Sequence, residues 1–259
     1  MIDVALPASY GKGRNTYPVI YVPDGNTTFG LVTQTLRFLD LYDEVEEVVV
    51  VGIGYPDIRT MRSSMGHRTR DFTPTSNNWY DTVYVNTVPD PPAYLGSGGA
   101  ANFLRFIRQE LMPLVNERYR VDPARATLKG HSFGGLFALN TLLTEPDAFQ
   151  NYLVGSPSVW WDNLALLNIE DVYAAQHREL SANVFLTVGG LEPPFMIGDT
   201  YRMAQVLSNR NYAGLNLKTV FIEDETHKSS VPAFTVKGLR AIYGRSQWQQ
   251  SQFQGKDKR

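Results

Sequence analysis

The chain has 259 residues with 24 Lys+Arg against 26 Asp+Glu, a formal net charge of -2, and no cysteine. A near-neutral charge with no basic stripe argues against a nucleic-acid partner, and the lack of Cys excludes disulfides, thiolate metal sites and a cysteine nucleophile. A hydrophobic fraction of 43% with 12% aromatics gives enough apolar area to cover both faces of a sheet in one α/β domain.

Residues 1–18 lack the basic start and apolar run of a signal peptide, and no later run reaches the roughly 18 apolar residues of a membrane span. No membrane span is expected. Cytoplasm is the default location, with a secreted or periplasmic one the alternative for a processed chain.

From Tyr17 onward short apolar runs alternate with segments of helical period, the pattern of βα units around a mostly parallel central sheet with helices on both faces. Residues 18–22 read as a buried strand, since β-branched and aromatic residues run directly into the turn signal Pro23-Asp24-Gly25-Asn26. A helix over 29–41 follows. Residues 47–53 contain four successive valines, the continuous apolar run of a strand covered on both faces. Over 100–119, Phe103, Phe106, Ile107, Leu111, Leu114 and Val115 recur at three- and four-residue steps, which predicts a helix with one buried stripe. Strand 126–129, helix 134–144, strands 152–155 and 184–189, helix 201–209, strand 217–222 and helix 231–243 complete a single domain over 1–243.

Two stretches break this rhythm. Residues 57–99 show no clear element yet carry Trp79, Tyr80, Tyr84 and Tyr94 among prolines and glycines, which points to an irregular loop, either a lid or substrate wall or simply packed against the domain. The tail 244–259 is polar and rich in Gln, and is expected to fray.

Gly130-His131-Ser132-Phe133-Gly134 fits G-x-S-x-G, and its setting gives the pattern weight: a strand runs into it and an apolar helix leaves it. That corner lifts the Ser132 hydroxyl clear of the sheet and aims a helix N-terminus at a developing oxyanion, with the Phe133 amide as one donor. A second donor is expected after an earlier strand at the same sheet edge. The amide of Asn26, with Gly25 next, meets that requirement.

A serine hydroxyl needs a base, and His suits the task. Of the four histidines, His227 follows the last strand and so reaches the edge where Ser132 stands, in the chain order serine, acid, histidine. His67 is its rival. The acid should follow strand 184–189, which points to Glu192, with Asp199, Asp224 and Glu225 as alternatives. Trp160 and Trp161, just past a strand end, suit an apolar wall for an acyl or aryl group as well as core packing. No metal motif and no cofactor motif is present, so neither is expected.

These residues resemble the esterase family of α/β-hydrolases that includes S-formylglutathione hydrolase (esterase D), enterobactin-type siderophore esterases and the mycolyltransferases. The likeness extends from Leu6 to the last helix. Its landmarks are residues 17–25, Arg68-Thr69-Arg70-Asp71-Phe72-Thr73-Pro74, residues 130–135 and Gly155-Ser156-Pro157-Ser158-Val159-Trp160-Trp161. The second and fourth look closest to the siderophore esterases. The resemblance implies a hydrolase of esters or lactones without a cofactor, an oxyanion amide at the turn 24–26, and Arg70 near the rim of the site.

The reading that follows is a serine carboxylic ester hydrolase working through an acyl-enzyme on small-molecule short-chain or aryl esters, or on siderophore-type lactones. Two alternatives use the same fold: an acyltransferase, in which an alcohol takes the acyl group, and a binding module without chemistry.

Overall fold

The computed structural model describes residues 1–56, 61–84 and 95–245. Its strands are β1 (Ile2–Ala5), β2 (Tyr17–Pro23), β3 (Val49–Ile53), β4 (Val121–His131), β5 (Asn151–Gly155), β6 (Glu179–Gly189) and β7 (Ala213–Ile222). They form one sheet in the order β1-β3-β2-β4-β5-β6-β7. Only β1 runs antiparallel, against β3, and the other pairings are parallel.

Among the described residues the α-helices are α1 (Gly25–Leu41), α2 (Met61–Phe72), α3 (Ala100–Phe106), α4 (Met112–Arg118), α5 (Phe133–Thr144), α6 (Trp161–Gln176), α7 (Pro194–Arg210) and α8 (Ser230–Tyr243). Alternation along each strand sorts side chains between two layers. Ile20 and Val22 of β2 join Val32 and Leu36 of α1 and Phe234 and Leu239 of α8 on one face. Tyr21 of the same strand joins Phe72, Leu104, Leu136, Trp161 and Leu207, contributed by α2, α3, α5, α6 and α7, on the other. Strands β2, β3 and β5 are buried along their whole length, as continuous apolar runs require. The mostly parallel α/β architecture expected from the alternation is therefore present.

Four details differ from the sequence reading. The stretch 57–99 is not wholly irregular, because it contains α2 and a π-helical turn (Tyr80–Tyr84). α2 escaped notice because it docks through Ser64, Arg68, Thr69 and Asp71, all buried, and so shows no apolar stripe. The expected helix over 100–119 runs as α3, a π-helical turn (Ile107–Leu111) and α4, with Leu114 exposed rather than buried. Helix α6 was not anticipated, and its start is disguised by three left-handed residues, Asp162, Asn163 and Leu164. Strand β1, also unanticipated, is a short edge strand paired only to β3. Tyr94 of the expected wall and the tail beyond Arg245 lie outside the described residues.

Candidate active site

β4 passes into α5 through a single residue, Ser132, held at φ 61° and ψ −119°. A residue with a Cβ rarely occupies that region, and a strand-to-helix corner bearing a nucleophile is one place where such strain is kept. Neighbouring backbone fixes the corner. The Ser132 amide donates to the Gly155 carbonyl (2.9 Å), while its carbonyl accepts from the amides of Leu136 (2.9 Å) and Ser158 (3.1 Å). At Gly130 an added Cβ would stand 1.9 Å from the Gly134 carbonyl oxygen, so this close crossing of strand and helix tolerates no side chain. The Ser132 hydroxyl lies 3.4 Å from that of Ser158.

The ends of β6 and β7 bring a histidine and a carboxylate together beside this corner. His227 Nδ1 is 2.7 Å from Glu192 Oε2. The other carboxylate oxygen accepts from the Ser156 hydroxyl (2.5 Å) and the Gly189 amide (2.9 Å). Burial alone would raise the Glu192 carboxyl, but the bonds from His227, Ser156 and Gly189 outweigh it and hold the group below its ordinary value. The two loops are stitched along their backbones, Gly190 N–H to Ile222 O (2.8 Å) and Leu191 N–H to Glu225 O (2.9 Å). Asp199 sits on α7, and Asp224 and Glu225 lie in the turn after β7; none of the three forms a described bond to His227. The rival His67 is stacked on Tyr55, with ring centroids 4.5 Å apart, and is not joined to this cluster.

The turn after β2 faces the corner. Asp24 adopts the left-handed conformation at the head of α1, and the Asn26 side chain exchanges two bonds with the Tyr55 main chain, at 2.7 and 2.8 Å. Asn26 and Phe133 thus both stand in the first turn of a helix, where amides have no acceptor within the helix itself. Arg68 of α2 locks this turn to the elbow. Its guanidinium grips Asp24 with two bonds (2.7 and 3.1 Å), reaches the His131 carbonyl (3.4 Å), and lies 5.7 Å from the ring centroid of Phe133.

The aromatic pair divides. Trp161 is fully buried, with its indole N–H on Thr75 (3.2 Å) and its ring edge-on to Phe133. It therefore supports the wall from behind, which corrects its expected place as a substrate contact. Trp160 is only half-buried, sits 6.0 Å from the Phe133 ring, and meets Phe195 edge-on at 6.4 Å. Phe195 is 54% exposed and Leu191 61%, which leaves an apolar lip on either side of Glu192. Arg70 binds Asp71 (2.6 and 2.8 Å), which in turn accepts from the Tyr55 hydroxyl (2.8 Å). It lines a cleft of about 450 Å³ with Tyr55, Gly54 and Phe103. Its connection to the site runs through Tyr55 to Asn26, with no described bond to Ser132 or His227.

Sequence reasoning missed Ser156, Ser158, Arg68 as a strut and Phe195. Ser156 and Ser158 stand within the landmark 155–161, whose tryptophans carry the stronger signal, while nothing in the chain order marks Phe195. Among the described residues no group of three or more His, Asp or Glu is placed to hold a metal ion, and no helix is long and apolar enough to cross a membrane.

Comparison with known proteins adds to this geometry. The family described as "Putative esterase" matches residues 1–251. The chain is 35% identical over 236 residues to the ferri-bacillibactin esterase BesA of Bacillus subtilis, covering 86% of this chain and 78% of that protein. It is 38% identical over 176 residues to a siderophore enterobactin esterase of Emericella nidulans, covering 64% of this chain and 55% of the fungal protein, about half its length. Among solved structures, BES protein from Bacillus cereus superposes with a TM-score of 0.81 at 35% identity, over 93% of this chain and 90% of that one. An IroE-like serine hydrolase from Shewanella oneidensis gives 0.79 at 27% identity, over 93% and 75%.

Proposed function

The chain belongs to this esterase family and is a serine ester hydrolase, and on that premise we propose that Ser132 is its nucleophile, His227 the general base and Glu192 the acid that orients the base. The observation that carries the assignment is the strained Ser132 corner lying at the same sheet edge as the 2.7 Å His227–Glu192 pair. With Nδ1 committed to Glu192, the other ring nitrogen of His227 is left to take the serine proton.

In this mechanism Ser132 Oγ attacks the ester carbonyl and its proton passes to His227, which returns it to the departing alkoxide. The amides of Phe133 and Asn26 hold the negative oxygen of the tetrahedral intermediate. Water then attacks the acyl-enzyme, losing its proton to His227, and His227 returns that proton to Ser132 Oγ as the acyl–oxygen bond breaks and the acid leaves.

We infer that the substrates are siderophore-type esters. The names of the relatives support this, as do the exposed apolar side chains of Leu191 and Phe195 with the half-buried Trp160, which offer apolar contact to an aryl group. The test is to offer ferri-bacillibactin, enterobactin and p-nitrophenyl acetate to the protein and to Ser132→Ala. Hydrolysis of the siderophore esters that vanishes in the variant, with a fluorophosphonate adduct on Ser132, is the expected result. Turnover retained in Ser132→Ala would overturn the nucleophile, and turnover of the acetate alone would overturn the substrate class.

A further inference from the structure

The residue before the nucleophile does more than fill the strand. His131 and Lys129 lie on the β4 face covered by α8, where Lys129 points at the Phe234 ring (4.8 Å) and His131 rests against the same ring (6.3 Å). His131 Nε2 is 2.8 Å from the main-chain carbonyl of His227, and the two imidazole rings are 4.7 Å apart.

We propose that His131 is a positioning residue for the base: its Nε2–H donates to the His227 carbonyl and so sets where the His227 ring stands relative to Ser132. This rests on the assignment of Ser132 and His227 made above. A carbonyl can only accept, so Nε2 must carry the hydrogen. Nδ1 is buried and has no partner, which fits a bare nitrogen and would be costly for a second N–H. The ring is therefore neutral. The groups that face it agree: burial first, then the charges of His227, Lys129 and Arg68, push the imidazole well below its ordinary value, outweighing the bond to the His227 carbonyl.

The surroundings are shaped for this ring. At Gly155 an added Cβ would stand 2.8 Å from His131 Nδ1 and 2.7 Å from the Phe234 ring, so the space His131 occupies is kept open by a missing side chain. The other support of the His227 carbonyl, the Ser230 hydroxyl, is longer at 3.3 Å. The His131 carbonyl accepts from Arg68, which also holds Asp24. One residue thus links the base loop, the elbow and the oxyanion turn.

The experiment compares His131→Gln, whose amide offers a donor at similar reach, with His131→Phe and His131→Leu, which fill space without one. Loss of the donor should lower kcat on the order of 10- to 100-fold, as a misplaced catalytic group does. KM should stay near the wild-type value, fluorophosphonate labelling of Ser132 should slow in step, and His131→Gln should recover most of the rate. Thermal denaturation of each variant shows which are folded, and His131→Leu carries the comparison if His131→Phe is not. Independently, nitrogen-15 NMR of the wild-type ring should show Nδ1 bare and Nε2 protonated. Equal rates in His131→Leu and wild type, equal losses in Gln and Leu, or the opposite tautomer would each overturn the proposal. Failure of the nucleophile assignment looks different, because it would appear as turnover in Ser132→Ala with His131 intact.

Discussion

Arg68 and Asp24 form a two-pronged ion pair behind the elbow, with side chains only 5% and 8% exposed. Removing one partner strands a buried charge, so Arg68→Ala should cost about 3–5 kcal/mol of stability. Arg68→Lys should recover only part of this, because an ammonium cannot reproduce the fork on both carboxylate oxygens. Urea denaturation of the three proteins measures both effects.

Ser156 supplies one of the three bonds that hold Glu192 below its ordinary 4.5. A carboxyl depressed in the folded state adds stability that is complete above its unfolded value and is lost as pH falls through the folded one. Ser156→Ala weakens the depression. Its unfolding free energy should fall below that of wild type at pH 7 by about 1.5–3 kcal/mol for a bond to a charged group, and the gap should narrow toward pH 3. A gap independent of pH would mean that the hydroxyl does not act on the carboxylate.

Burial pushes the Lys129 ammonium down to about 8 from its ordinary 10.5, with Asp24 pulling the other way. The folded protein gives up this proton before the unfolded chain does, so wild-type stability should rise between pH 8 and 10.5. Below that window the full cost is present. Lys129→Met, which keeps the stem and removes the charge, should be more stable at pH 7 by up to about 3 kcal/mol, and its advantage should shrink as the pH climbs. A less stable Met variant at pH 7 would contradict this.

Ser132 at φ 61° stores strain that only a residue without Cβ escapes. Ser132→Ala and Ser132→Gly should be equally inactive, yet the glycine variant should be the more stable by about 1 kcal/mol, the relief exceeding the extra freedom of the unfolded glycine chain. Thermal unfolding of the two variants, compared with each other, isolates the backbone effect from the lost hydroxyl.

The sequence was most readable where local chemistry and chain order coincide. Four valines in a row read as a buried strand, and a serine between a strand and an apolar helix reads as a corner. Glu192 follows from counting strand ends, and it lies 2.7 Å from His227. Readability failed where docking is polar or the backbone turns left-handed. α2 presents Ser64, Arg68, Thr69 and Asp71 to the interior, so hydrophobic periodicity misses it. Trp160 and Trp161 look alike in sequence, yet one faces the lip and the other the core, a division seen only in the tertiary packing around Phe133 and Thr75. Phe195 joins the lip through α7, and its proximity to Trp160 is set by tertiary structure alone.

The order of the strands bears on how the protein is made. From β2 outward the sheet grows as β4, β5, β6 and β7, each strand joining the free edge left by the one before it. Only β3 enters between two earlier strands, β1 and β2; beyond β2 a chain emerging from the ribosome can extend its sheet in the sequence in which it is synthesised. The elbow gains its supports from Gly155 at the end of β5 and from Ser158 just after it, Glu192 arrives with the loop after β6, and His227 comes last. On the proposed assignment the nascent protein carries the finished Ser132 corner before His227 is made, and reactivity toward esters should switch on only as the final strand and α8 dock.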